Sequence, residues 1–405
     1  MSEAVHLPES IPWERIRQRA LIIGLAGLAL CLLSALISPS HTLRAYLVAF
    51  NFWLGIALGC LVLLMLQHLT GGIWGLVLRR IFESGARTLG LLALLFLPLL
   101  LGLLGTPPLL YEWVGSTDPE LLEKTWYLNV PFFLGRAAAY FIIWVMIAFL
   151  LYAWSVAQDR GNLNDRRLRL LSGPGLVLYG GTITFASVDW VMSLEPRWYS
   201  TIYPVIFAVG QILEAMAFAI IVLIAISAGE RGLLWRRDVD ATPSPTVYDK
   251  LLNPIRRRDL GNLLLAFVMM WAYVSFSQFL LIWTANLPEE IPWYVNRTRG
   301  GWQWLAWLLV AFQFSLPFLL LLSREIKEDP RRLAAVALLV LVMRYLDVFW
   351  WIEPAFADGV HFYVVVHLLA LVGLGGIWIW YFLAQLAKLP LLPLNEPTLE
   401  GLAHE

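Results

Sequence analysis

Five carboxylates stand in, or at the ends of, long apolar stretches: Asp189, Glu195, Glu214, Asp347 and Glu353. Two of these stretches share one frame. Residues 189–196 read DWVMSLEP and residues 347–354 read DVFWWIEP, each an Asp, five residues, a Glu and a Pro. Arg136, Arg344 and His367 lie in apolar stretches as well. Ionisable groups inside a bilayer are costly, rare and usually functional. The chemistry open to this set is proton exchange, passed between carboxylates, an imidazole, hydroxyls and water. The same residues could instead only lock helices together, because buried ion pairs often serve specificity.

Spacing refines this reading. Arg344 and Asp347 are three residues apart, so on a helix they share a face and can pair. Asp189 has Ala186 at the equivalent position, so its cation must come from another helix. Arg136 lies at a suitable depth. With those two ion pairs formed, Glu214 is left without a cation, about 16 Å from the outer end of its span and near the midplane. Glu195 and Glu353 mark the outer ends. Inner Asp and outer Glu are about 9 Å apart along a helix axis, successive stations rather than a dyad. Polar side chains such as Gln211, Ser275, Gln278 and Gln313 extend this zone, although each alone reads as a helix–helix contact. The inner half looks drier, with His68, Tyr179 and Asn262 as its few polar groups.

The elements that must position these groups are membrane helices. The chain is 60% hydrophobic and 14% charged, against about 25% charged in soluble domains. Ten spans can be drawn, at 20–37, 44–69, 86–105, 130–157, 175–194, 203–228, 260–283, 301–322, 332–352 and 361–386. Each is near or above the roughly 20 residues that cross a bilayer. Of 29 Lys and Arg, five fall in alternate loops taken as outside (Arg44, Lys124, Arg197, Arg297, Arg299) and two within spans. The rest fall on the side of the N-terminus. That asymmetry predicts both termini and the 229–259 loop in the cytoplasm. The outer ends are rich in Trp, among them Trp113, Trp126, Trp198, Trp283, Trp293, Trp302, Trp350 and Trp351, which reads as an interfacial belt. Arg15, Arg17 and Arg19 precede an apolar run too long for a signal peptide, so that run is read as a retained first helix.

The two D-x5-E-P frames close spans five and nine and run in the same direction. They suggest a parallel duplication of four-helix bundles, 44–194 (spans 2–5) and 203–352 (spans 6–9), with flanking helices. The whole chain, 1–405, is then one integral membrane domain. Gly55 and Gly59 form a GxxxG, a signal of close helix packing.

Several classes are excluded. Net charge is zero, so nothing points to nucleic acid. There is no Walker motif and no GxGxxG. The two cysteines, Cys31 and Cys60, cannot hold an iron–sulfur cluster alone, and His361 and His367, six apart, do not share a helix face for haem. The chain is expected to bind no redox cofactor of its own.

Four stretches carry a resemblance: DWVMSLEPRWYSTIY (189–203), SQFLLIWTANLPEEIPWYVNRTRGGW (277–302), LPFLLLLSREIKEDPRRL (316–333) and MRYLDVFWWIEP (343–354). In this order they resemble the NrfD-like, polysulfide-reductase-type integral membrane subunits, of the kind found in bacterial alternative complex III. The resemblance covers nearly the whole chain. It implies a place in the bacterial inner membrane, within a quinol:electron-acceptor oxidoreductase of a respiratory or photosynthetic chain. It implies as partners a paralogous quinol-binding subunit, an iron–sulfur subunit, c-type cytochromes and small membrane subunits, so that quinol, iron–sulfur clusters and c-type haem belong to partners. It also implies that Asp189, Glu214, Arg344, Asp347 and His367 line a proton route, with Glu195 and Glu353 at its outer mouths. A stand-alone secondary transporter and a purely structural scaffold remain as alternatives.

Overall fold

The computed structural model describes residues 7–8, 11–105, 108–161, 165–230, 252–356 and 364–393. Most of the 229–259 loop and the end of the C-terminal tail lie outside them. Among the described residues there is no strand. The main helices are α1 (Trp13–Ser34), α2 (Pro39–Thr70), α3 (Ile73–Leu95), α4 (Val130–Asp159), α5 (Asp165–Trp190), α6 (Tyr203–Glu230), α7 (Pro254–Ala285), α8 (Trp302–Leu322), α9 (Pro330–Ile352) and α10 (Val364–Leu386). Nine of the described helices are long and apolar enough to cross a membrane. α3 joined to the 3-10 segment Leu97–Leu103 makes a tenth, bent by 40°. The protein is an all-α, multi-pass membrane protein.

Local chemistry sets the helix ends. The Asn129, Asn253 and Asp329 side chains each accept a backbone N–H at the start of α4, α7 and α9, and each is followed by Pro within two helical positions. A cap oxygen satisfies an otherwise unpaired donor, and Pro there gives up an N–H the helix does not use. Prolines also account for the irregular stretches. Pro98 lies in the bent segment after α3, and Pro317 follows a π-helical stretch, Leu309–Ser315, inside α8. Pro317 has no N–H for the carbonyl four residues back, and the Leu316 N–H reaches Ala311 O in the wider register.

The third helix corrects the sequence reading. It begins at Ile73 rather than 86, because Arg79, Arg80 and Glu83, which resemble loop charges, are buried inside the helix. The Trp belt is corrected as well. Trp126 and Trp283 are exposed, but Trp113, Trp198, Trp293, Trp302 and Trp351 are buried in the protein.

α2 is the axis of the fold. Its most apolar window is fully enclosed, and it packs on α3, α5, α6, α9 and α10. Lipid tails are as apolar as Leu, so such packing rests on close contact between helices. Glycines provide it. A Cβ at Gly59 would overlap the Gln211 carbonyl of α6. At the chain's two ends, α1 and α10 clasp each other through Gly24, Gly27, Gly373 and Gly376. A Cβ at Gly24 would sit 2.6 Å from Ile377 N, and one at Gly373 would sit 2.6 Å from Leu28 N. Gly373→Leu is therefore expected to part the two helices and cost about 3 kcal/mol, the upper end for overpacking. Thermal unfolding of the detergent-extracted protein checks this; an unchanged midpoint contradicts it.

Candidate functional site: a buried line of carboxylates and arginines

At the start of α4, the Arg136 guanidinium grips Asp189 of α5 with two hydrogen bonds, Nε to Oδ2 and Nη2 to Oδ1, each 2.8 Å. The Tyr140 hydroxyl donates to Asp189 Oδ2 at 2.8 Å. Arg136 also donates to Tyr127 O and stacks on the Tyr127 ring, 3.9 Å from its centroid. Asp189 is fully buried. Both its oxygens are thus held by donors, in the bidentate geometry that fixes a carboxylate most firmly.

Asp347 of α9 is held differently. Its Oδ2 accepts from Arg344 Nη1 of the same helix and from Trp271 Nε1 of α7 at 3.0 Å, and its Oδ1 accepts from Trp351 Nε1 at 3.0 Å. Arg344 also faces Glu214 of α6, with Nε 3.8 Å from Oε2. The expectation that Glu214 stands without a cation is therefore corrected. Sequence spacing shows only contacts along one helix, whereas this one crosses from α9 to α6. The contact is electrostatic only, since neither Arg344 Nε nor Glu214 Oε2 has a hydrogen-bond partner. All three groups are buried. Arg344 thus lies between two carboxylates, tightly bonded to one and loosely facing the other.

Glycines make room for this arrangement. A Cβ at Gly55 of α2 would overlap Glu214 Oε1, and one at Gly210 of α6 would overlap the Arg344 guanidinium. One turn from Glu214, Gln211 accepts from the Tyr179 hydroxyl of α5 at 2.7 Å, leaving its Nε2 buried and unpartnered. Of two further buried amides, Gln313 in the π-helical stretch of α8 has no partner for either amide atom, and Gln278 on α7 lies beside the Tyr294 hydroxyl. Buried polar atoms of this kind are commonly satisfied by internal water.

No protein-family model matches the chain, and no curated protein matches it.

The two frame glutamates, Glu195 and Glu353, meet different cations. Arg297, fully buried in the short helix Ile291–Arg297, donates from Nη2 to Glu195 Oε2 at 2.7 Å and to Trp351 O at 2.8 Å. It stacks on Trp293, 3.8 Å from the ring centroid. Arg297 thus ties the end of α5 to the end of α9. Sequence reading placed it among outside loop charges and missed it. Glu353 lies with Oε1 3.2 Å from His367 Nε2 of α10. His367 packs edge-on against Phe349, and its Nδ1 is buried without a partner. His361 lies outside the described residues. Every acid of the two D-x5-E-P frames therefore has a basic side chain beside it.

The opposite end of the bundle is not dry, which corrects a second expectation. Arg79 and Arg80 both bind Glu83, through Nε to Oε1 at 3.1 Å and Nη1 to Oε2 at 2.7 Å. From α4, Ser155 donates to Glu83 Oε1 at 2.6 Å, Gln158 accepts from Arg79 at 2.6 Å, and Asp159 accepts from Arg80. His68 of α2 is buried nearby, with Nε2 unpartnered. The missed signal was RRIFE (79–83): two Arg and a Glu at helical spacing inside an otherwise apolar stretch. Among the described residues, no three of His, Cys, Asp and Glu gather into a metal-binding group.

Proposed function

We propose that the chain is a proton-conducting membrane subunit of a quinol:electron-acceptor oxidoreductase of the alternative complex III kind. The observation that carries the reading is the placement of one guanidinium between two buried carboxylates, Asp347 and Glu214. Arg344 holds Asp347 by hydrogen bonds and leaves Glu214 loosely placed. A loosely held acid beside a cation can release and recover a proton at modest electrostatic cost. Gln211 and Tyr179 on one side, and the buried amides of Gln278 and Gln313 on α7 and α8, offer polar stations for water. Asp189, locked by three hydrogen bonds, serves as structure, and Glu195 with Arg297 closes its end of the bundle. Glu353 and His367 form the exit.

The resemblance to NrfD-like subunits supports the rest of the reading. Electrons, quinol, iron–sulfur clusters and c-type haem belong to partner subunits in the bacterial inner membrane. Both termini of this chain face the cytoplasm. The chain purified gently from its native membrane is expected to bring c-type haem and iron–sulfur spectra with it. Purification alone, with transport by the isolated chain, overturns the reading in favour of a transporter. Orientation is checked separately. A single cysteine placed within 231–251 should resist membrane-impermeant maleimide in intact cells and react after permeabilisation; labelling in intact cells reverses the topology.

A further inference from the structure

Where α3, α4 and α10 meet, two cations stand without an acid among the described residues. Arg87 follows the Ile73–Ala86 portion of α3, and its guanidinium lies on the Tyr152 ring of α4, 3.6 Å from the centroid. Its Nη1 is buried with no hydrogen-bond partner. Lys388 lies two residues past the end of α10, and its ammonium donates to Gln385 Oε1 at 3.1 Å. Partial desolvation and the charge of Arg87 hold that ammonium below the usual lysine range, so the two cations feel each other. The acids of the buried network on α3 and α4 are taken, since Glu83 and Asp159 bind Arg79 and Arg80. The buried network is two positive and two negative charges, and Arg87 with Lys388 is a surplus beside it.

An apolar track leads away from this pair. Phe149 and Met146 lie one and two turns from Tyr152 on α4, and Leu94 lies two turns on from Arg87 in α3. All three are exposed. A cation pair with an aromatic face at a helix end, opening onto an exposed apolar strip, fits a molecule with a phosphate and an acyl chain. Basic pockets between membrane helices bind anionic headgroups by this chemistry. A free phosphate would use the cations and leave the strip unused.

We propose that Arg87 and Lys388 bind the phosphate of an anionic phospholipid, with an acyl chain along Leu94, Phe149 and Met146. This inference does not depend on the proposed proton path. The test is native mass spectrometry of the full chain as extracted from its membrane, delipidated and offered phosphatidylglycerol or phosphatidylcholine. Phosphatidylglycerol is expected to be retained over phosphatidylcholine by roughly tenfold, from two basic groups at the headgroup. The double variant Arg87→Gln, Lys388→Gln should lose that preference. Lys388→Gln alone, at an exposed position, should lose part of it and keep the fold. Equal retention of the two lipids, an unchanged preference in both variants, or displacement by millimolar inorganic phosphate overturns the proposal. So does a carbodiimide crosslink in native membranes joining Lys388 to a protein carboxylate, which would make the pair a protein interface.

Discussion

Asp347→Asn is expected to destabilise the protein by about 3–5 kcal/mol, as removal of one partner from a buried ion pair does. The carboxylate takes donors on both oxygens, Arg344 and Trp271 on one and Trp351 on the other. An amide of the same shape offers one acceptor and presents an NH2 where a second is needed. With its NH2 toward Trp351 it faces one donor; turned over, it faces Arg344 and Trp271 together. Arg344 would then rely on Glu214, 3.8 Å away and not hydrogen-bonded to it. Trp351→Phe is the control, since it removes one donor and keeps the charge pair. That variant should lose about 1–3 kcal/mol, the cost of leaving one buried acceptor unpaired. Thermal unfolding of the detergent-extracted protein separates the two. Equal midpoints for Asp347→Asn and Trp351→Phe would mean that Arg344 is not stranded.

The same residues show what a sequence can reveal here. Membrane helices are legible because each is one continuous apolar run, so ten spans could be drawn from composition and length. Arg344 and Asp347 are three apart, and a helix brings them together whatever surrounds it. Arg136 could be matched to Asp189 by depth, because hairpin-connected helices place similar depths side by side. Contacts between distant segments are not written that way. Arg297 reaches Glu195 across about a hundred residues, from a short helix that reads as a loop. Arg79, Arg80 and Glu83 look solvated until α4 is laid against them. Glu214 meets Arg344 only because α6 and α9 pack face to face. Glycines were the available hint. Gly55 and Gly210 lie on neighbouring helices near the depth of Glu214, and each clears the space that one charged side chain occupies. Read as a GxxxG alone, Gly55 and Gly59 suggested helix packing. Only the geometry separates their roles, with Gly55 making room for a carboxyl and Gly59 for a backbone.

That division gives the sharpest test of the proton path. Glu214→Gln should leave the protein folded and assembled, because it keeps shape and has no hydrogen bond to lose at Oε2. It should lower quinol-driven proton release by roughly a hundredfold or more, the usual effect of removing a positioned acid. Gly55→Ala should reproduce that loss with no titratable group changed. Its Cβ would take the place of Glu214 Oε1, the mobile end of a side chain, so the carboxyl must leave its place facing Arg344 while the helices stay packed. Gly59→Ala is the contrasting variant. Its Cβ would strike the Gln211 carbonyl, which cannot swing, so α2 and α6 must part and stability falls by about 1–3 kcal/mol. Proton release into vesicles and unfolding temperature, measured on all three, distinguish a relay from a spacer. If Glu214→Gln turns over normally and Gly55→Ala only loses stability, Glu214 is packing. The buried charges would then serve to lock the helices.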